Sequence, residues 1–132
     1  MNFDTTTSIL ESAIGATNKR NEVISENIAN VNTPGYKRGR VEFENQLKKA
    51  LSRESISGKT TREKHIPIKG GKLHDEIDPE VVRSKTRFMR NDKNNVDIDV
   101  EMAELSKNAL HHNSLVRQLN SKMNRIRSVV QE

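Results

Sequence analysis

Residues 96–130 read VDIDVEMAELSKNALHHNSLVRQLNSKMNRIRSVV, and their spacing decides the fold. Met102, Leu105, Ala109, His112, Val116, Leu119, Met123, Ile126 and Val130 follow one another at alternating steps of three and four. Such a heptad rhythm puts one side chain after another on the same side of a long helix. The pattern predicts a helix from about residue 100 to 130, roughly 45 Å long at ~1.5 Å per residue. Ahead of it Val96, Ile98 and Val100 alternate with Asp97 and Asp99, a brief extended lead-in with Asp99 as the expected N-cap.

The same rhythm governs the other end of the chain. Phe3, Thr7, Leu10, Ile14, Thr17, Asn21, Ile24, Ile28 and Val31 form a second seam whose middle is polar. Ser8 and Glu11 are spaced as a capping box, and Asp4 is an equally good N-cap. The helix should stop where Asn30, Asn32, Thr33, Pro34 and Gly35 cluster. Proline disfavours helical geometry in the residue before it, and Gly35 takes positive φ at little cost. Neither helix can bury its stripe alone, so the two chain ends should pair with each other or with neighbouring subunits. Full burial of each aliphatic side chain is worth ~1.5–3 kcal/mol.

Between these ends the pattern weakens. Val41 to Leu51 reads as a short helix with Phe43, Leu47, Ala50 and Leu51 on one side. From Ser52 to Asn95 the chain is rich in Lys, Arg, Ser, Thr and Gly, with apolar pairs at Ile66/Ile68 and Val81/Val82. Gly70-Gly71 and Asp78-Pro79 look like turns. Loops and one weak hairpin are expected there. The expected fold is therefore mostly α: long N- and C-terminal helices pairing as in a coiled coil, with a short helix and an irregular, partly β middle. Its parts are residues 1–36, 37–95 and 96–132, the first and last packing as one domain.

Composition sets limits on function. Leu, Ile, Val and Phe make up 31 of 132 residues, which leaves one small core supplied by helical faces. No apolar run is long enough to cross a bilayer, and the first thirty residues lack the pattern of a cleavable secretory signal. Without cysteine there is no disulfide, thiolate metal site or cysteine nucleophile. The net charge of +5 comes from residues 37–95, which carry +7 against −2 in residues 1–36 and zero in residues 96–132. Residues 44–95 have one aromatic, Phe88, so a stacking surface for nucleic acid is missing and a solvated polar segment is the simpler reading.

Catalytic patterns fail in turn. Gly58-Lys59-Thr60 ends like a phosphate-binding loop, but Arg53 stands where the first glycine is required. His111 and His112 are adjacent on a helix and cannot clamp one ion as an i, i+4 pair would. Asp97, Asp99 and Glu101 read as helix-start acids that complement the helix dipole. No catalytic residue, cofactor, metal site or small-molecule substrate is expected.

One string is more specific than the rest: Ser25-Glu26-Asn27-Ile28-Ala29-Asn30-Val31-Asn32-Thr33-Pro34-Gly35-Tyr36-Lys37. It resembles the N-terminal signature of the bacterial flagellar axial proteins, the rod and hook family. At 132 residues the chain lacks room for the large surface domains of hook or distal-rod members, and it is most similar to the short proximal rod proteins. Two further stretches resemble them: Tyr36-Lys37-Arg38 leading into Val41, Phe43, Leu47 and Leu51, and Asn94-Asn95-Val96-Asp97-Ile98-Asp99 leading into Glu101-Met102-Ala103-Glu104-Leu105. The resemblance covers about residues 8–51 and 87–132. It departs at Lys93, where glycine is frequent, and at His111-His112, where an aromatic is common. A glycine- and tyrosine-containing turn with a following proline-asparagine pair, typical of a sister proximal rod protein, is absent.

The resemblance implies a structural subunit whose paired terminal helices stack into the inner tube of a hollow helical polymer, transmitting torque and continuing the export channel. It implies as partners copies of the chain, other rod proteins, an adaptor at the membrane-ring and export-gate end, and the flagellar type III export apparatus, with no nucleic acid. It also implies a place in the basal-body rod, in the periplasmic space, reached without a cleaved signal. Asn27, Ile28, Ala29, Asn30, Asn32, Thr33, Pro34, Gly35, Tyr36 and Lys37 would be its assembly motif, a fixed bend presenting Tyr36 and Lys37 to a neighbour. The seam positions Leu10, Ile14, Ile24, Ile28, Val31, Met102, Leu105, Ala109, Val116, Leu119, Met123, Ile126 and Val130 would supply buried faces. Thr17, Asn21 and His112 either face solvent at the lumen or set the register of the helices. A basic helical nucleic-acid binder and a coiled-coil adaptor are the competing classes.

Overall fold

A computed structural model describes residues 3–56, 79–83 and 94–130. Helix α1 spans Phe3–Ala29, strand β1 Gly39–Glu42, helix α2 Glu44–Ile56, strand β2 Glu80–Arg83 and helix α3 Ile98–Val130. Helices α1 and α3 pack side by side, and α1 also packs on β1. The contacts fix their direction. Thr17 meets His112, and Asn27 meets Glu101, so α3 residue numbers fall as α1 numbers rise and the pair is antiparallel.

Helix α1 is already formed at Phe3, ahead of both expected caps, so Ser8 lies inside the helix and opens no capping box. Its end is where the sequence places it. Asn30 N still donates to Glu26 O and Asn27 O, and the chain then turns through residues 30–35. Gly35 has φ of 73°. Nothing lies within 4 Å of a Cβ built there, so only the backbone opposes a side chain. Gly35→Ala should therefore cost about 1–2 kcal/mol from left-handed strain alone, read as a lowered melting temperature with unchanged helix content.

Val41 belongs to a strand and not to the short helix. β1 and β2 run antiparallel, with Gly39 opposite Arg83, Arg40 opposite Val82, Val41 opposite Val81 and Glu42 opposite Glu80. Val41 and Phe43 are buried, two residues apart, as strand geometry requires. Phe43 then opens α2, accepting from Leu47 N at 2.9 Å. The strand period and the helix period overlap at Phe43, which is why the sequence reads as one helix. β2 pairs upstream with β1, and most of the 52–95 stretch in which a weak hairpin is expected lies outside the described residues. Ile66, Ile68, Gly70-Gly71, Asp78, Phe88 and Lys93 lie outside the described residues.

The apolar core gathers Ala13, Ala16 and Val23 of α1 with Val41 and Phe43, and Leu47, Ala50 and Leu115 pack against it. Leu51 is on the exposed side of α2. Because α1 faces α3 on one side and β1 and α2 on the other, its buried arc is wider than one seam. Thr17 and Ile24 are buried in it, Leu10, Ile14, Ile28 and Val31 are half-buried, and Asn21 is exposed.

Helix α3 differs from expectation in its cap and its phase. Asp97 is the N-cap: its Oδ1 accepts from Asp99 N at 3.0 Å and its carbonyl from Glu101 N at 3.0 Å. The side turned inward runs along Glu101, Leu105, Asn108, His112, Leu115, Leu119, Lys122 and Ile126. It shares Leu105, His112, Leu119 and Ile126 with the expected seam. At the other positions it lies one residue earlier, leaving Met102, Ala109, Met123 and Val130 exposed and Val116 half-buried. Hydropathy alone misplaces the phase, because Glu101 and Asn108 are polar residues with partners inside the fold.

Candidate functional site

The signature after α1 closes onto the start of α3, and side-chain amides do most of the fastening. Asn27, in the last turn of α1, lies against Gly39. It accepts from Gly39 N at 2.9 Å and donates to Gly39 O at 2.8 Å, so its amide satisfies both backbone groups as a neighbouring strand would. A Cβ on Gly39 would sit 3.0 Å from Val23 Cγ1, so glycine allows the close approach. The Asn27 amide also donates to Glu101 Oε2 at 3.1 Å, and Tyr36 Oη reaches Asn27 Oδ1 at 3.4 Å.

Glu101 is the centre of the junction. Its side chain has no exposed surface, and Arg38 Nε donates to its other oxygen. A carboxylate removed from water this completely is tolerable only when paired and hydrogen-bonded, and both conditions are met. The Arg38 backbone is held too, its N–H donating to Asn95 Oδ1 at 2.8 Å.

Asn94 secures the turn itself. It is fully buried, and its amide lies 2.9–3.0 Å from the carbonyls of Asn30, Val31 and Thr33 while Oδ1 accepts from Val96 N at 2.8 Å. These carbonyls lie in the turn just past the end of α1, and a residue some sixty positions away gathers them. Asn30 Nδ2 donates to Glu26 O, and Thr33 Oγ1 to Asn30 Oδ1. Tyr36 is half-buried with Arg83 5.8 Å above its ring. Ala29, Asn32, Thr33, Pro34, Gly35 and Lys37 lie on the surface.

A second polar station lies two turns along the helix pair. Thr17 is buried and donates its one hydroxyl hydrogen to Ile14 O at 2.8 Å. Its oxygen must then accept from His112 Nδ1, 2.9 Å away, which fixes a proton on that nitrogen. Asn108 Nδ2 donates to Thr17 O at 2.9 Å. These contacts bind one register of α1 on α3. Any slip would strand buried polar groups, each worth ~1–3 kcal/mol.

At the outer edge Arg20 grips Glu44 with 2.8 and 3.0 Å contacts, tying α1 to the first turn of α2. Burial pushes the Glu44 carboxyl up, but its own backbone N–H, Arg20 and the Phe43 backbone outweigh this and hold it below the usual carboxylate range. A depressed carboxyl stabilises above its unfolded value, so this contribution fades as pH falls through the lowered one. Among the described residues no three His, Asp or Glu side chains are grouped to hold a metal ion.

Arg38, Gly39, Asn94, Asn95 and Glu101 are members of the junction that sequence reasoning missed as a site. Glu101 reads as an ordinary helix-start acid, and the available signal was positional: it falls in line with Leu105, Asn108 and His112.

Two long terminal helices, antiparallel and fastened at the turn between α1 and β1, define a mostly α-helical protein whose two chain ends pack together. Residues 9–37, which hold the signature, match the family described as flagella basal body rod protein. The flagellar basal body rod protein FlgB of Bacillus subtilis (strain 168) is 35% identical over 129 residues, covering 97% of this chain and 95% of that protein. FlgB of Aeromonas hydrophila is 31% identical over 123 residues, covering 93% and 90% respectively. FlgB of Aquifex aeolicus (strain VF5) is 32% identical over 117 residues, covering 89% and 86%. The chain belongs to the FlgB family of flagellar basal body rod proteins.

Proposed function

We propose that the chain works mechanically, as a structural subunit of the proximal rod that polymerises helically, transmits torque and continues the export channel, with no catalytic role. The terminal thirds, residues 1–36 and 96–132, act as one unit, and the motif from Asn27 to Lys37 holds them rigid. The observation that carries this reading is the apolar surface that α3 leaves uncovered. Met102, Leu110, Met123, Val129 and Val130 are 42–78% exposed on a helix one side of which is already packed. Exposed aliphatic side chains along one helix favour burial by neighbours.

The partners are copies of the chain, other rod proteins and an adaptor at the membrane-ring end. The place of work is the basal-body rod in the periplasmic space, reached through the flagellar type III export apparatus without cleavage. Heterologous contacts, in which one surface meets a different one on the next subunit, extend into a helix when they do not close. Met102→Asp combined with Met123→Asp tests this. Both sites are exposed, so the subunit's own stability should change by no more than about 0.5 kcal/mol per site. Swimming should be lost and the variant should be missing from purified basal bodies. Wild-type swimming would show that this side stays in solvent.

A further inference from the structure

The charge on the two helices is segregated. Residues 105–131 carry five Lys or Arg and no carboxylate. A groove of about 610 Å³ runs between the first turns of α1 and the second half of α3, with Leu10 and Leu110 at its apolar lining and Arg117, Lys122 and Arg125 along it. Arg117 and Arg125 are exposed and make no ion pair among the described residues. The outward side of α1 has the opposite character. Glu11, Glu22 and Glu26 are exposed there with the small residues Gly15 and Ser25 between them. Lys19 is the one nearby cation on that side, 2.8 Å from Glu22, and Glu26 acts on it as well.

We infer that the basic groove is an interface between copies of this chain, and that its occupant is the acidic outer side of α1 from the next copy. The inference rests on the structural reading above and names the contact that reading requires. At ~1.5 Å per residue the acidic row from Glu11 to Glu26 spans about 22 Å and the basic row from Arg117 to Arg125 about 12 Å, so the acidic side is long enough to run the whole length of the basic one. Gly15 and Ser25 present no bulk, so the incoming helix can approach closely enough for Leu110 to be covered. The two surfaces lie on different parts of the molecule. The contact is therefore heterologous, and each added copy exposes the same groove to the next. Complementary potentials of this kind also disfavour groove-to-groove pairing and pairing of two acidic sides, each of which sets like charges together.

The natural chain has no cysteine, which makes the test clean. Glu11→Cys and Arg117→Cys are made as separate single variants with tags of different size and expressed together, so only a link between copies yields a product. Purified basal bodies are treated with a short bismaleimide. The expected product joins one Glu11→Cys chain to one Arg117→Cys chain, and neither variant expressed alone gives it. In parallel, Arg117→Glu with Arg125→Glu should lower the amount of chain in basal bodies roughly tenfold, and adding Glu11→Lys with Glu26→Lys in the same chain should restore it. Wild-type chain present in basal bodies, with no link between copies and no effect of charge reversal, overturns the interface and leaves the structural reading standing. A link from Arg117→Cys to a different rod protein in place of a second copy overturns it equally. Absence of the wild-type chain from basal bodies overturns both.

Discussion

Asn27→Leu should destabilise the folded chain by about 4 kcal/mol. The substitution keeps the volume and removes the amide, so Gly39 loses partners for both its N–H and its carbonyl, and Glu101 Oε2 loses a donor. Leaving two or three buried groups unpaired costs about 1–3 kcal/mol each. Urea unfolding followed by circular dichroism measures the effect as a lower midpoint at unchanged slope. A change under ~1 kcal/mol would mean that water replaces the amide and that the contact is not a dry one.

Arg38→Met has a comparable expected cost by a different route. It leaves the Glu101 carboxylate, which has no exposed surface, without its cation. Breaking one side of a buried pair typically costs ~3–5 kcal/mol. Because Arg38 keeps about a third of its own side chain in water, the lower part of that range applies. Glu101→Gln in the same background should recover much of the loss, since a neutral amide can be buried more cheaply than a lone carboxylate. A double-mutant cycle on the two positions should return a coupling of at least ~1 kcal/mol. Additive effects would show that Arg38 acts through packing alone.

The helical skeleton was legible in the sequence because its signals are strong and repeated. Steps of three and four at both ends, and the Asn, Pro and Gly cluster at residues 30–35, leave little choice about where two helices run and where one stops. The phase of α3 was not legible, for a physical reason. Assigning the seam by hydropathy assumes that the inward positions are apolar, yet Glu101 and Asn108 are inward because Asn27, Arg38 and Thr17 receive them. A residue's partner 63 to 91 positions away cannot be read from its neighbours. Val41 shows a milder form of the same difficulty. Its strand exists because Val81 lies opposite, and a four-residue strand carries too short a pattern to announce itself. The signature had the reverse fate. Its specificity was plain, while its inward contacts were not: Asn27 is buried and Tyr36 is set against Asn27 and Arg83, partners that the string itself does not name.

The wide sequence separation within the junction also governs when the fold can form. Asn94 reaches Thr33 across 61 positions, and Glu101 reaches Asn27 across 74. Closing such a loop is slow compared with local helix growth, since its entropy must be lost before any contact is gained. Helix α1 by itself has little to sustain it, because in proteins most helical stability comes from tertiary packing of one face and not from propensity. A chain synthesised from its N-terminus therefore gains both helix ends together, once residues 94–101 are present. Length changes in the connecting segment alter this only slightly, because halving the loop changes its closure cost by roughly 0.6 kcal/mol. The timing of folding is set by where Asn94 and Glu101 sit along the chain, about three-quarters of the way from residue 1 to residue 132.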